Sequence, residues 1–327
     1  MVPVLKGNCI HFTFVVMHQP ALVSVVLATF NGEQYIAQQL DSLISQTYPN
    51  MEIIAVDDCS SDNTVNILRD YAVKHNCIKL FVNETNLGFI KNFEKGCLLA
   101  SGAYISLCDQ DDAWHPDKIK ILAENIGDAP MAYCDSYLCS ADLQHTGKKI
   151  SDVANLQSFN SCLQQAVFCR IYGHATLFTR NIFLDAKPFL TSIPHDWWLS
   201  FVASVHGPIT YIDQPLVYYR QHATNLFGAV GGTKRKHHRT AKKEKKKQEL
   251  KDIRSRINSF YQACPEKLVT EKRILQKLSE CYENFSFVKN MQRMLLFLRY
   301  SPLFLAVKKR SAVRKWLFCF KMFFILK

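Results

Sequence analysis

Leu22-Val-Ser-Val-Val-Leu-Ala28, closed by Thr29-Phe-Asn-Gly32, decides how the chain folds. A short, apolar, β-branched run ended by a turn reads as a buried strand. Residues 33–46 then place Tyr35, Ile36, Leu40, Leu43 and Ile44 at helical spacing. The unit repeats. Residues 52–56 predict a strand, 63–75 a helix capped by Asp62, 78–83 a strand, 88–101 a helix and 103–108 a strand. Alternation at this spacing implies an α/β fold with a mostly parallel, Rossmann-like sheet and helices on both faces. Beyond Asp112 the pattern is less regular. Strands are expected at 131–139, 175–179 and 211–220, and a helix at 195–206 carrying Asp196, Trp197 and Trp198. There is no internal repeat.

The acidic residues gather after the strands, as Asp57-Asp58-Cys-Ser-Ser-Asp62 and Asp109-Gln-Asp111-Asp112. Ligands of open α/β sheets sit beyond the carboxyl ends of the strands. Clustered carboxylates repel one another unless a cation lies between them. Mg²⁺ takes one or two carboxylates and completes its shell with phosphates and water. Asp62 reads as a helix cap. No Gly-rich phosphate loop follows the first strand, which speaks against a nucleotidyltransferase, and no Ser-His-Asp or Cys-His signature competes.

Charge divides the chain. From Lys234 onward there are 26 Lys and Arg against 7 Asp and Glu, a net of +19; the total of +12 leaves −7 for residues 1–233. An acidic unit joined to an anion-seeking tail is the expectation. The tail holds Lys234-Arg-Lys-His-His-Arg-Thr-Ala-Lys-Lys-Glu-Lys-Lys-Lys247 and the aromatic Trp316-Leu-Phe-Cys-Phe-Lys-Met-Phe-Phe-Ile-Leu326. Such a composition suits an anionic membrane surface, with a packed helix as the alternative. The organisation read from this is an N-terminal extension (1–20), a nucleotide-binding half (21–112), an acceptor half (113–232) and a basic, mainly helical region (233–327). Residues 1–16 read as a non-native or disordered extension, without a convincing signal peptide, and no apolar run is long enough to span a bilayer. Twelve cysteines without a CxxC pair read as reduced thiols, hence a reducing, cytoplasmic compartment. Cys59, Cys97 and Cys108 are expected in the interior.

In combination, Ser24-Val-Val-Leu-Ala-Thr-Phe-Asn31, residues 40–49 (LDSLISQTYP), Asp57 to Asp62 and Asp109-Gln-Asp-Asp-Ala-Trp114 resemble the bacterial glycosyltransferase family 2, whose nucleotide-binding fold is called GT-A. His195-Asp-Trp-Trp198 and Tyr219-Arg-Gln-His222, with Asn225 and Gly228, resemble a subgroup building rhamnose-containing and other surface polysaccharides. The resemblance runs from about residue 22 to 228. It implies an inverting glycosyltransferase acting on a nucleotide-diphosphate sugar and a glycan or lipid-linked acceptor, with Mg²⁺ or Mn²⁺. Residue by residue, it implies Asp58 reading the nucleobase flanked by Ala28 and Phe30. It implies Asp111 as a metal ligand, Asp109 near the ribose and metal, and Asp196 as catalytic base. His222 is a candidate further metal or diphosphate contact, and Arg220 a candidate neutraliser of the diphosphate. The family often has Glu before the base; His195 stands there, and no role is transferred to it. One of Trp197 and Trp198 at most should face the cleft, being roughly 100° apart on a helix. A nucleotide-sugar-binding protein without turnover is the alternative, against which Asp111 and Asp196 speak. A nucleic-acid-binding protein would leave the acidic clusters unexplained, and no such module is present.

Overall fold

Strands β1 (Val23–Thr29), β2 (Met51–Asp57), β3 (Ile78–Val82) and β4 (Tyr104–Asp109) alternate with helices α1 (Ile36–Ile44), α2 (Thr64–Lys74) and α3 (Phe89–Leu99). In the computed structural model, which describes residues 19–221, 239–284 and 286–324, these strands are parallel in the order β3-β2-β1-β4. The period of two in β1 explains its uniform hydrophobicity. Val23, Val25 and Leu27 enter one apolar cluster with Ile36, Leu40 and Leu68 of α1 and α2. Val26 enters the opposite cluster with Ile90, Phe93 and Cys97 of α3. A strand covered on both faces must be apolar on both.

The next elements are β5 (Ala113–Trp114), α4 (Lys118–Asn125), β6 (Met131–Cys139), β7 (His145–Lys149), α5 (Ile150–Val153), β8 (Thr176–Thr179), α6 (Arg180–Ala186), α7 (His195–His206) and β9 (Ile209–Arg220). They extend the sheet to nine strands, continuing β4-β8-β6-β9-β5 with β7 on β6. β8 is antiparallel to both β4 and β6, so the sheet is parallel in its first half and mixed in its second. The order places β1 between β2 and β4, a switch point where the chain leaves β1 in opposite directions. Thr29 pairs with Asp57 and Ala28 with Asp109, so the three following loops start at one level.

Helices α8 (Arg239–Ala263), α9 (Val269–Glu283), α10 (Phe287–Arg299), α11 (Ser301–Phe304) and α12 (Ala312–Phe324) follow. Their apolar residues share a core cluster with α3, α6 and α7. The buried Arg293 of α10 donates to the carbonyls of Cys281 in α9 and Met322 in α12, clasping three helices. Among the described residues no helix is long and apolar enough to cross a membrane. The described cysteines are free thiols, with Cys97 and Cys108 buried as expected. Cys59 is exposed instead, because the chain leaves β2 through a tight turn with Cys59 at φ 65°.

Phe260 of α8 joins the helical region to α7. Its ring lies 4.0 Å from that of Phe201 at 12°, and it is fully buried. Phe260→Ala is expected to lower stability by roughly 3–5 kcal/mol through lost burial and a residual cavity. Equilibrium denaturation reads this directly; Val269→Ala, at an exposed site, is the control and should fall within about 0.5 kcal/mol of wild type. Equal stability of the two variants would mean that α8 does not depend on this contact.

Candidate active site

A cavity of about 990 Å³ opens at the carboxyl ends of β1, β2 and β4 and runs toward the start of α7. At one end lie Ala28, Phe30 and Asp58. The adjacent aspartates divide their work. Asp57 closes its own loop, accepting from Thr29 Oγ1 at 2.9 Å and Ser60 Oγ at 2.6 Å. Asp58 turns into the cavity. Its Oδ1 accepts from Asn83 Nδ2 and the Leu87 amide at 2.8 Å, and its Oδ2 from the Gly88 amide at 2.9 Å. Those bonds fix the carboxylate's direction and leave it further acceptor capacity. Asp62 lies one residue before the N-cap Asn63 and accepts from the Thr64 amide, at the start of α2, at 3.0 Å. Gln110 clamps the neighbouring loop, accepting from the Phe30 amide at 2.8 Å and donating to the Phe30 carbonyl at 3.0 Å. A side chain on Gly32 would start 2.3 Å from Gln110 Oε1 and would displace this clamp.

Midway lies the acidic cluster. Ligand atoms of Asp109, Asp112 and His174 lie within 4.8 Å of one another. His174 Nδ1 is 3.5 Å from Asp109 Oδ2 and 3.4 Å from Asp112 Oδ2, and its Nε2 is 3.2 Å from Ser136 Oγ. Asp112 is fully buried; its Oδ1 accepts the Arg220 amide, while Oδ2 has no hydrogen-bond donor. Burial, then the charges of Asp111 and Asp109, push the Asp112 carboxyl well above its usual range. Burial acts the same way on Asp109 but is outweighed by His174, which holds that carboxyl low. An orphaned carboxylate oxygen within a crowded negative cluster fits a hard cation. Asp109, Asp111 and His174 line the cavity, whereas the buried Asp112 does not; Asp111 is not one of the trio.

At the far end stands Asp196, the second residue of α7. Its Oδ1 accepts the Trp197 amide at 2.7 Å. Burial pushes its carboxyl above the ordinary range, against the pull of His195 and that amide. Trp197 lines the cavity with its Nε1 tied to the Gln165 carbonyl, whereas Trp198 is core, donating to the Ala186 carbonyl and stacking on Phe260. His195 also lines the cavity, its ring stacked 4.4 Å from Phe93.

Two of the expected residues are not among those that line the cavity. Arg220 does not line the cavity. Its guanidinium is spent on the Asp111 and Ala141 carbonyls and Gln38 Oε1, and lies 4.3 Å over the Tyr35 ring, so it braces the acidic loop from behind. His222 lies outside the described residues, as do Asn225 and Gly228. The sequence does not single out His174, and Asp112 stands in it only as part of the acidic cluster, with no role of its own. A lone histidine in an irregular stretch carries no spacing signal; its place just ahead of β8, the antiparallel neighbour of β4, was the only hint.

A parallel β-α half-sheet with a carboxylate after β2, an acidic cluster after β4 and a facing carboxylate at the start of α7 is the arrangement of a GT-A fold. The glycosyl transferase family 2 model matches residues 24–185. The chain is 32% identical over 229 residues to the dTDP-rhamnosyl transferase RfbG of Shigella flexneri, covering 65% of this chain and 77% of RfbG. It therefore belongs to glycosyl transferase family 2. With EpsH of Bacillus subtilis it shares 29% identity over 226 residues, spanning 64% of this chain and 63% of that relative's length. Staphylococcus aureus TarS 1-349, solved with UDP-GlcNAc, has the same fold, with a TM-score of 0.55 at 16% identity over 93% of this chain and 90% of TarS 1-349. The mannosyltransferase PcManGT of Pyrobaculum calidifontis, solved with GDP-Man and Mn²⁺, matches at a TM-score of 0.51 and 15% identity over 94% and 85% of the two chains.

Proposed function

We propose that this chain is an inverting glycosyltransferase. It moves a sugar from a nucleotide-diphosphate sugar to a hydroxyl of a glycan or lipid-linked acceptor in bacterial surface-polysaccharide synthesis. The observation that carries this is one cavity with Asp58 at one end, Asp109 and His174 between, the buried Asp112 against His174, and Asp196 at the other end. Asp58 hydrogen-bonds the nucleobase and the exposed ring of Phe30 stacks on it. Asp109, Asp112 and His174 would hold Mg²⁺ or Mn²⁺, with Asp111 beside them; the ion supplies positive charge against the diphosphate's growing negative charge. Asp196 takes the proton of the acceptor hydroxyl as that oxygen bonds to the anomeric carbon. The bond to the diphosphate oxygen breaks on the opposite face, and a single displacement inverts the centre. The relatives support a sugar donor: RfbG by its dTDP-rhamnosyl description, TarS and PcManGT by the nucleotide sugars bound to them. The proposed place of work is the cytoplasm, peripheral to the inner face of the plasma membrane.

The test is calorimetric binding of UDP-, GDP- and dTDP-sugars with Mg²⁺ and with chelator, followed by NMR of the product's anomeric centre. One donor should bind in a metal-dependent way and be slowly hydrolysed, with inversion on transfer. A panel in which no nucleotide sugar binds removes the reading.

A further inference from the structure

We propose that the start of α12 is a phosphate-headgroup site by which the protein docks on anionic bilayers. This deepens the peripheral placement proposed above by naming the surface and the ligand chemistry. A second cavity, of about 560 Å³, lies between Asn155 and a basic wall formed by residues 308–311 with Arg314 and Lys315. Five cations face this space and no acidic residue lines it. Among the described residues none of the five forms an ion pair. Burial, then the charges of Arg170 and Arg310, push the Lys308 ammonium down to about 8, as expected of crowded cations lacking a counter-ion.

The wall is built, not splayed. The Asn155 amide and side chain bind the carbonyls of Val307 and Ala306, at 3.1 and 2.8 Å. Lys309 Nζ reaches the Ser151 carbonyl at 2.8 Å, and Lys308 lies 3.8 Å over the Phe168 ring. Ser311 Oγ accepts the Arg314 amide at the opening of α12.

The same helix supplies the apolar half. Phe318, Cys319 and Met322 face the protein. Val313, Trp316, Leu317 and Phe324 are exposed, with Phe320 half-buried against Trp316, spaced i, i+3, i+4, i+7 and i+11. Hence α12 is apolar on two opposite sides, and only one is used inside the molecule. Arg314 and Lys321 flank the outward stripe. An aromatic stripe continuous with a cationic pocket matches a helix lying in the headgroup plane. The position also suits the reaction. Phe168, under Lys308, is two residues before Arg170, which lines the catalytic cavity.

The experiment floats the full-length chain with phosphatidylcholine vesicles containing either none or about 30% phosphatidylglycerol. Wild type should float with the anionic vesicles alone. K309E/R310E/R314E should weaken that binding by at least about 100-fold, from roughly fivefold for each of three lost cations before the added negative charges are counted. W316S/L317S should also abolish flotation while leaving the cationic pocket in place. Nucleotide-sugar affinity is measured on each variant to establish folding. Equal flotation with neutral vesicles overturns the proposal, as does flotation unaffected by either variant. Calorimetric binding of inorganic phosphate without vesicle binding would make the pocket a free-phosphate site and overturn it too. So would a wild-type dimer by light scattering that W316S/L317S dissolves, or retention on an oligonucleotide in place of vesicles. A chain that floats but binds no nucleotide sugar keeps this inference and loses the catalytic reading; the converse loses this inference alone.

Discussion

Asp196→Asn is expected to lower sugar transfer by about 10²–10⁴-fold, the usual range for loss of a general base. Donor affinity should stay within a small factor, because Asp58 and the acidic cluster, which are proposed to hold the donor, are untouched. The substitution preserves shape and removes proton acceptance. Asp196 opens α7, where the helix dipole favours its ionised form. Burial works against this and leaves the carboxyl above its ordinary range. A base must be deprotonated, so activity rises with pH through that raised value. The acid limb of the wild-type profile should therefore stand above the range of a free aspartate, and the residual activity of Asp196→Asn should lack that limb. Near wild-type transfer in the variant would reduce Asp196 to a helix-start residue. Asp135 and Asp185 would be poor replacements. Asp135 is buried away from the cavity, holding the amides of Ser136 and Ser151, and Asp185 pairs with His206 at 3.3 Å. That failure would direct attention to His222.

What the sequence disclosed depended on whether the governing contacts were local. The first four strands and three helices were legible because period and turn chemistry are properties of short windows. Asp58, Asp109 and Asp196 were legible as cavity residues because a strand end or helix start fixes where a side chain emerges. Arg220 was not. Its place depends on Gln38 and Ala141, 182 and 79 positions away, which only the closed sheet brings near. The same holds for His174, which meets Asp109 and Asp112 only because β8 runs antiparallel beside β4. Cys59 sits in a strand-like window, but the turn after Asp58 sends it outward. For α12, composition suggested membrane surface or packing as alternatives. The helix packs with one apolar side and exposes the other, an outcome a residue count cannot separate.

Asp112→Asn should abolish the gain in donor affinity that Mg²⁺ or Mn²⁺ confers, a loss of about 10–100-fold or more judged from disturbed metal sites. The variant keeps an acceptor for the Arg220 amide, so the loop's backbone bracing survives. What changes is the charge on Oδ2, the buried oxygen that lacks a hydrogen-bond donor and faces His174. Asp109→Asn should act in the same direction, since its carboxylate completes the trio within 4.8 Å. Asp111→Asn separates two geometries. The motif resemblance makes Asp111 a direct ligand, whereas the trio proposed from the side-chain spacing is Asp109, Asp112 and His174, without Asp111. Calorimetry of donor binding with metal and with chelator decides. If Asp112→Asn loses the metal effect and Asp111→Asn retains most of it, the buried trio holds the ion. The reverse pattern returns the ion to Asp111 and makes Asp112 a brace for the loop. Donor affinity in the wild type that is unchanged by chelator would remove the ion from both. It would leave the orphaned Asp112 oxygen to be explained by a bound proton, the form its raised pKa already favours.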